Sequence, residues 1–185
     1  MTHLVGIAGS LRSGSFNLSL LKAAARLAPE NVSLEIAPIH EVPLYNADLE
    51  RDVGIPASVG RLQDIIADAD GLILATPEYN GSVPGVLKNV MDWLSRPPEQ
   101  IDRVFRGRPV AVIGATPGGL GTVLSQVAWL PVLKALGTRQ WSGDRLAVSR
   151  AGDLLHADGR VKDSGLEERI TGFMRGFAAF VAARE

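Results

Sequence analysis

The chain of 185 residues carries 19 basic and 20 acidic side chains, a net charge of −1, and 46% hydrophobic residues. Length and apolar share suit one domain (1–185) with a sizeable core. The charge balance excludes the strongly basic face that nucleic acid or an anionic membrane surface rewards. Cysteine is absent, which excludes a disulfide framework, a thiolate zinc site and a thiol nucleophile, and fits a cytoplasmic chain. Met1-Thr2-His3 has no basic leader and no apolar run approaches the ~20 residues of a membrane span, so neither a signal peptide nor a membrane anchor is expected.

The first predicted strand, Leu4–Ala8, runs into Gly9-Ser10-Leu11-Arg12-Ser13-Gly14-Ser15-Phe16-Asn17, and a helix is predicted over Asn17–Ala28. A strand, a hydroxyl-rich turn and a helix in that order aim backbone N–H groups and the positive helix end at one point, which binds a phosphate. Arg12 adds a planar cationic fork; Ser10, Ser15 and Asn17 add hydroxyl and amide donors. The plainer alternative is that Ser15 only caps the helix while Arg12 sits on a solvated loop.

A second strand is predicted at Val32–Ala37, and the irregular segment Ile39–Pro56, with Pro43-Leu44-Tyr45-Asn46, reads as a flap. Helix Ala57–Ala69 and strand Gly71–Thr76 follow, then the loop Pro77-Glu78-Tyr79-Asn80-Gly81-Ser82 and helix Val83–Leu94. Ser82 is placed to cap that helix and Pro84 to occupy its first turn. Gly81 would let the backbone approach a flat ligand, Tyr79 would form a wall beside a ring, and backbone N–H groups would meet the ring's polar edge. Glu78 as a general base lacks a partner in sequence, and Trp93 reads as packing.

Strand Pro109–Ala115 leads to a third loop, Thr116-Pro117-Gly118-Gly119, with Ala115 and Thr116 as ligand contacts. Helix Leu120–Leu136, strand Arg145–Ser149 and helix Leu166–Arg184 complete the pattern. Continuously apolar strands alternating with helices predict an α/β fold: a doubly wound, parallel, five-stranded sheet of order 2-1-3-4-5, with helices on both faces. In such sheets ligands bind beyond the carboxyl ends of the strands, where all three loops emerge.

G-x-G-x-x-G, G-K-[ST] and G-x-S-x-G are missing, which removes the dinucleotide fingerprint, the P-loop and the nucleophile elbow. His3, His40 and His156 lack ligand spacing, so no metal site is expected. A receiver-type domain would need carboxylates where Gly9-Ser10 and Thr76-Pro77 stand.

The first loop motif, with Thr76-Pro77-Glu78-Tyr79-Asn80-Gly81-Ser82-Val83-Pro84-Gly85-x-Leu87-Lys88-Asn89-x-x-Asp92-Trp93, resembles the NAD(P)H-dependent FMN reductases, most closely the quinone, chromate and azo-dye reductase branch. The resemblance implies a flavodoxin-like fold and non-covalent FMN. By motif match, Ser10, Arg12, Ser15, Phe16 and Asn17 would hold the phosphate, and Pro77, Glu78, Tyr79, Asn80 and Gly81 would frame the isoalloxazine. Ala115 stands where relatives often carry Ser. Tyr45-Asn46-Ala47-Asp48 resembles their flap. Relatives are commonly homodimers or homotetramers. The implied activity is two-electron, ping-pong hydride transfer from NADPH or NADH to small acceptors such as quinones, azo dyes or free flavin. The flavin carries the hydride and no side chain need act as acid or base. The rival readings are a flavodoxin-type FMN electron carrier without nicotinamide turnover and a flavin-free regulatory module; the near-neutral charge and the absence of a Thr-rich phosphate loop count against the carrier.

Overall fold

Strands that are apolar on every residue need cover on both faces, and the computed structural model, which describes residues 1–183, provides it. β1 (Thr2–Ala8), β2 (Val32–Ala37), β3 (Gly71–Ala75) and β4 (Pro109–Ala115) pair in parallel. The order is β2-β1-β3-β4-β5. Along β3, Leu72 and Leu74 enter one core layer with Ile66 of α3 (Ala57–Ala67), Met91 of α4 (Gly85–Leu94) and Trp129 of α6 (Val123–Ala135). Ile73 and Ala75 enter the other, with Leu20 and Leu21 of α1 (Phe16–Arg26) and Phe173 and Phe177 of α8 (Ser164–Ala182). The strand period of two thus divides one sequence run between two layers. This is a flavodoxin-like α/β fold.

The far edge differs from expectation. The predicted strand Arg145–Ser149 is only half of it. β5 is Arg139–Gln140, paired with Pro109 and Val110, while Ala147–Val148 forms β6 against Gly114 and Ala115. The sheet therefore has six strands, not five. Trp141 still donates its N–H to Val110 O at 2.9 Å while its ring packs on Phe173 and Phe177 of α8 at 5.0 and 5.5 Å; the chain leaves the ladder after it and rejoins at Ala147.

Three short helices were not expected: α2 (Ala47–Val53), α5 (Gln100–Val104) and α7 (Ala151–Leu154). α2 lies inside the predicted irregular segment, where Asn46 accepts the Asp48 N–H at 2.9 Å as an N-cap. α8 starts at Asp163, whose carboxylate accepts the Leu166 N–H at 2.7 Å; its predicted end, Arg184, lies outside the described residues. Among the described residues no helix is long and apolar enough to cross a membrane.

Candidate active site

The carboxyl ends of β1, β3 and β4 bring the three loops together. Gly9 is required there: a Cβ would stand 2.8 Å from a Leu87 methyl and 2.9 Å from the Pro77 ring, so only glycine lets the first loop lie on the second. Ser15 turns the first loop into α1, its N–H donating to Arg12 O at 3.1 Å and its hydroxyl accepting the Leu18 N–H at 3.2 Å. The cap is real, but it leaves the Phe16 and Asn17 N–H groups of the first helical turn facing outward. Arg12 is exposed and lies 5.2 Å over the Phe16 ring. No carboxylate pairs with it among the described residues.

Asn17 takes another role in addition. Its buried amide donates to Ala115 O at 3.0 Å and accepts the Ala115 N–H at 2.9 Å. The side chain therefore clamps α1 to the end of β4, and a ligand on the first loop is left the backbone N–H of Asn17. The same pair occupies the backbone N–H of Ala115. The Thr116 N–H donates to Val148 O, while its hydroxyl accepts the Gly118 N–H at 3.3 Å and keeps its own proton to donate.

The second loop is a tight hairpin. Tyr79 and Ser82 exchange both backbone hydrogen bonds, at 3.2 and 3.1 Å, around Asn80 and Gly81 with φ of 53° and 71°. Two successive left-handed residues make a type I′ turn, for which Asn-Gly is the preferred pair. Gly81 is thus demanded by conformation rather than by space, since a Cβ would meet only Leu124 at 3.6 Å. Ser82 belongs to this turn and does not cap α4, which begins after Pro84 without a side-chain cap. Tyr79 stands half exposed. Glu78 has partners that sequence could not supply: its Oε2 accepts the N–H groups of Leu124 at 2.9 Å and Ser125 at 3.2 Å, at the start of α6.

A cavity of about 310 Å³ lies between the loops, and it gathers ten of the twelve expected residues: Ser10, Arg12, Ser15, Phe16, Asn17, Pro77, Glu78, Tyr79, Ala115 and Thr116. Asn80 and Gly81 stand at the turn's tip beyond its lining, and Pro117, which sequence reasoning omitted, joins it. A larger, open hollow of about 690 Å³ lies at the amino ends of the strands, against Asp70 and Arg139. It is on the edge opposite the loops and is unrelated to them. The site residues fit FMN: an unpaired guanidinium and a free helical turn suit a phosphate, and the Asn80 and Gly81 N–H groups, without a partner among the described residues, suit the polar rim of a flat ring.

The sequence profile of the NADPH-dependent FMN reductases matches residues 2–153. The chain belongs to that family. Its members are oxidoreductases that use FMN and NAD(P)H. The chain is 42% identical over 167 residues to an NAD(P)H-dependent FMN reductase of Pseudomonas aeruginosa, covering 90% of this chain and 88% of that protein. It is 37% identical over 178 residues to a 2-hydroxy-1,4-benzoquinone reductase of a Burkholderia species, covering 96% and 95%. Among solved structures it superposes on the flavoenzyme FerB, an NAD(P)H:(acceptor) oxidoreductase of Paracoccus denitrificans, with TM-score 0.87, 35% identity and 98% of each chain covered.

In this FMN reductase the segment read as a flap is tied down. Pro43 O accepts from Asn89 Nδ2 at 2.8 Å and Trp93 Nε1 at 2.9 Å, and the Tyr45 N–H donates to Asn89 Oδ1 at 2.8 Å. Tyr45 also meets the Trp93 ring edge-on at 4.9 Å. Its hydroxyl donates to Glu50, whose two carboxylate oxygens share the single Arg96 Nε–H at 3.0 and 2.9 Å. The hydrogen bond from Arg96, ahead of that from Tyr45, holds the Glu50 carboxyl below its ordinary value. Trp93 is buried packing, as expected, and additionally anchors this segment.

Proposed function

We propose that this chain, folded as one domain over 1–185, is an FMN-dependent oxidoreductase that takes two electrons from NADPH or NADH and passes them to quinones, azo dyes, free flavin or similar small acceptors in the cytoplasm. The observation that carries the reading is the convergence of the unpaired Arg12, the open first turn of α1 and the second loop's Pro77, Glu78 and Tyr79 on one cavity, with the Asn80-Gly81 turn at its margin. Bound FMN supplies the hydride-accepting and hydride-donating ring. Ser10, Arg12, Ser15, Phe16 and Asn17 hold its phosphate, the last two through backbone N–H groups. Pro77, Glu78, Tyr79, Asn80 and Gly81 frame the ring, and the N–H groups of the turn stabilise negative charge on it. Ala115 and Thr116 close the third side.

The three loops surround one cavity, so the nicotinamide and the acceptor use it in turn and turnover is ping-pong. Acid should release FMN from a yellow protein, and double-reciprocal plots of NADPH against a quinone should be parallel. A colourless protein that takes up no added FMN overturns the reading; intersecting plots overturn the single-cavity order. Oxidation of NADPH by a quinone with no partner protein present separates this enzyme from an electron carrier. The assembly proposed is a homodimer or homotetramer, supported by the apolar outer face of α6 discussed below.

A further inference from the structure

The geometry points to Glu78 as a positioning residue that caps α6 from another loop and so holds the ring-framing turn at its height above the sheet. This rests on the flavoenzyme reading of the cavity. α6 lacks a cap of its own: the preceding residue, Thr122, sits in the left-handed region at φ 65° and makes no side-chain cap bond. Its hydroxyl instead accepts from Gln126 at 3.3 Å. A β-branched residue is rarely found with that backbone. It is held there by close packing, because Thr122 Oγ1 occupies the space a Cβ on Gly114 would need, and a Cβ on Gly121 would stand 2.9 Å from the Ala147 backbone.

With Val123 as the first helical residue, Leu124 and Ser125 carry the N–H groups that a capping side chain normally accepts. Glu78 Oε2 accepts both, from 46 and 47 residues away in sequence. The first two turns of α6 grip the second loop twice more, through Ser125 Oγ and Trp129 Nε1, at 2.8 and 3.0 Å from the buried Thr76 hydroxyl. Those two contacts fix the loop's root at Thr76. Glu78 is the contact on the cavity side of that root, one residue before the turn that presents the Asn80 and Gly81 N–H groups.

Position and charge are separable here. An uncapped helix end carries roughly half a positive charge, and a carboxylate on it cancels that charge beside the cavity. Glutamine keeps an oxygen that accepts the two N–H groups but restores the positive end. Alanine removes the acceptor, and aspartate, one methylene shorter, does not reach it.

FMN affinity, the midpoint potential of bound FMN and amide exchange at Leu124 and Ser125 should be measured for the full-length wild type, Glu78→Gln, Glu78→Ala and Glu78→Asp. Glu78→Ala and Glu78→Asp should bind FMN at least tenfold more weakly and exchange both amides faster. Glu78→Gln should bind within threefold of wild type, with a more positive potential, because the restored helix end favours the negatively charged reduced ring. Unchanged affinity in Glu78→Ala, a Glu78→Gln as weak as Glu78→Ala, or a potential that does not move in Glu78→Gln overturns the assignment. If Glu78→Ala does not fold, the Glu78→Gln potential and affinity decide alone. A wild type that binds no FMN sinks the flavoenzyme reading instead, so the two failures are distinct.

Discussion

Two neighbouring residues of the first loop have opposite physical duties. Asn17 is buried and bonds both backbone groups of Ala115. Arg12 is exposed, with an aromatic ring beneath it and no carboxylate beside it. Asn17→Ala would leave a buried N–H and C=O without partners, at about 1–3 kcal/mol for each group. The expected outcome is a loss of roughly 2–6 kcal/mol in urea denaturation of the FMN-free chain. Arg12→Ala should leave that denaturation curve in place and weaken FMN binding by about 1.5–3 kcal/mol, roughly 10- to 100-fold, with Arg12→Lys between it and wild type because lysine keeps the charge but not the fork. The reverse pattern, with Arg12 governing folding and Asn17 only binding, would exchange their roles.

At the scale of elements, the segment after β2 behaves as a strap on α4. Its hold passes through Asn89, Trp93 and the Arg96–Glu50–Tyr45 chain. Glu50 titrates below its ordinary value in the folded strap. A carboxyl with a depressed folded pKa contributes its hold above the unfolded pKa and loses it as pH falls through the folded one. Acidification below the ordinary carboxylate range should therefore loosen residues 43–50 while the sheet persists, seen as a shift of the Trp93 indole N–H resonance. Glu50→Gln should show the loosened signal at neutral pH and no further acid step. A Trp93 resonance that ignores both changes would mean that Asn89 and the indole hold the strap without help. Nothing in the local pattern of Ile39–Pro56 forecasts this, because each anchor lies more than 40 residues away or depends on the unforeseen helix α2.

For the whole molecule, the outward face of α6 is the conspicuous feature. Trp129 and Leu133 are buried beneath it, yet Leu124, Val127 and Leu130 expose 50%, 49% and 49% of their surface, and Leu120 in the loop before the helix exposes 67%. A helix with apolar residues on its inner and its outer side is ordinarily covered on both, and an exposed apolar stripe marks an interface. Light scattering at low micromolar concentration should find a dimer or tetramer, and Val127→Glu with Leu130→Glu should convert it to monomer without unfolding it. A wild-type monomer that turns over at full rate would refute the assembly.

What the sequence determined by itself is whatever short-range pattern controls. Apolar runs of strand length alternating with helical periodicity demand a covered parallel sheet. The carboxyl ends of parallel strands share one edge, so three polar, glycine-rich loops had to meet there. The Ser15 cap is local chemistry and was readable as such, whereas Gly81, expected to make room for a flat ligand, serves the left-handed turn instead; the long motifs around them carried the family. What only the tertiary structure decided is the partner of each polar side chain across long sequence gaps. Asn17 finds Ala115, Glu78 finds the start of α6, and Pro43 finds Trp93. The edge strand divides after Trp141, whose ring meets Phe173 and Phe177 from a helix more than 30 residues on. Hydrogen-bond satisfaction and aromatic burial are settled by which surfaces meet on folding, and no window of neighbouring residues contains that information.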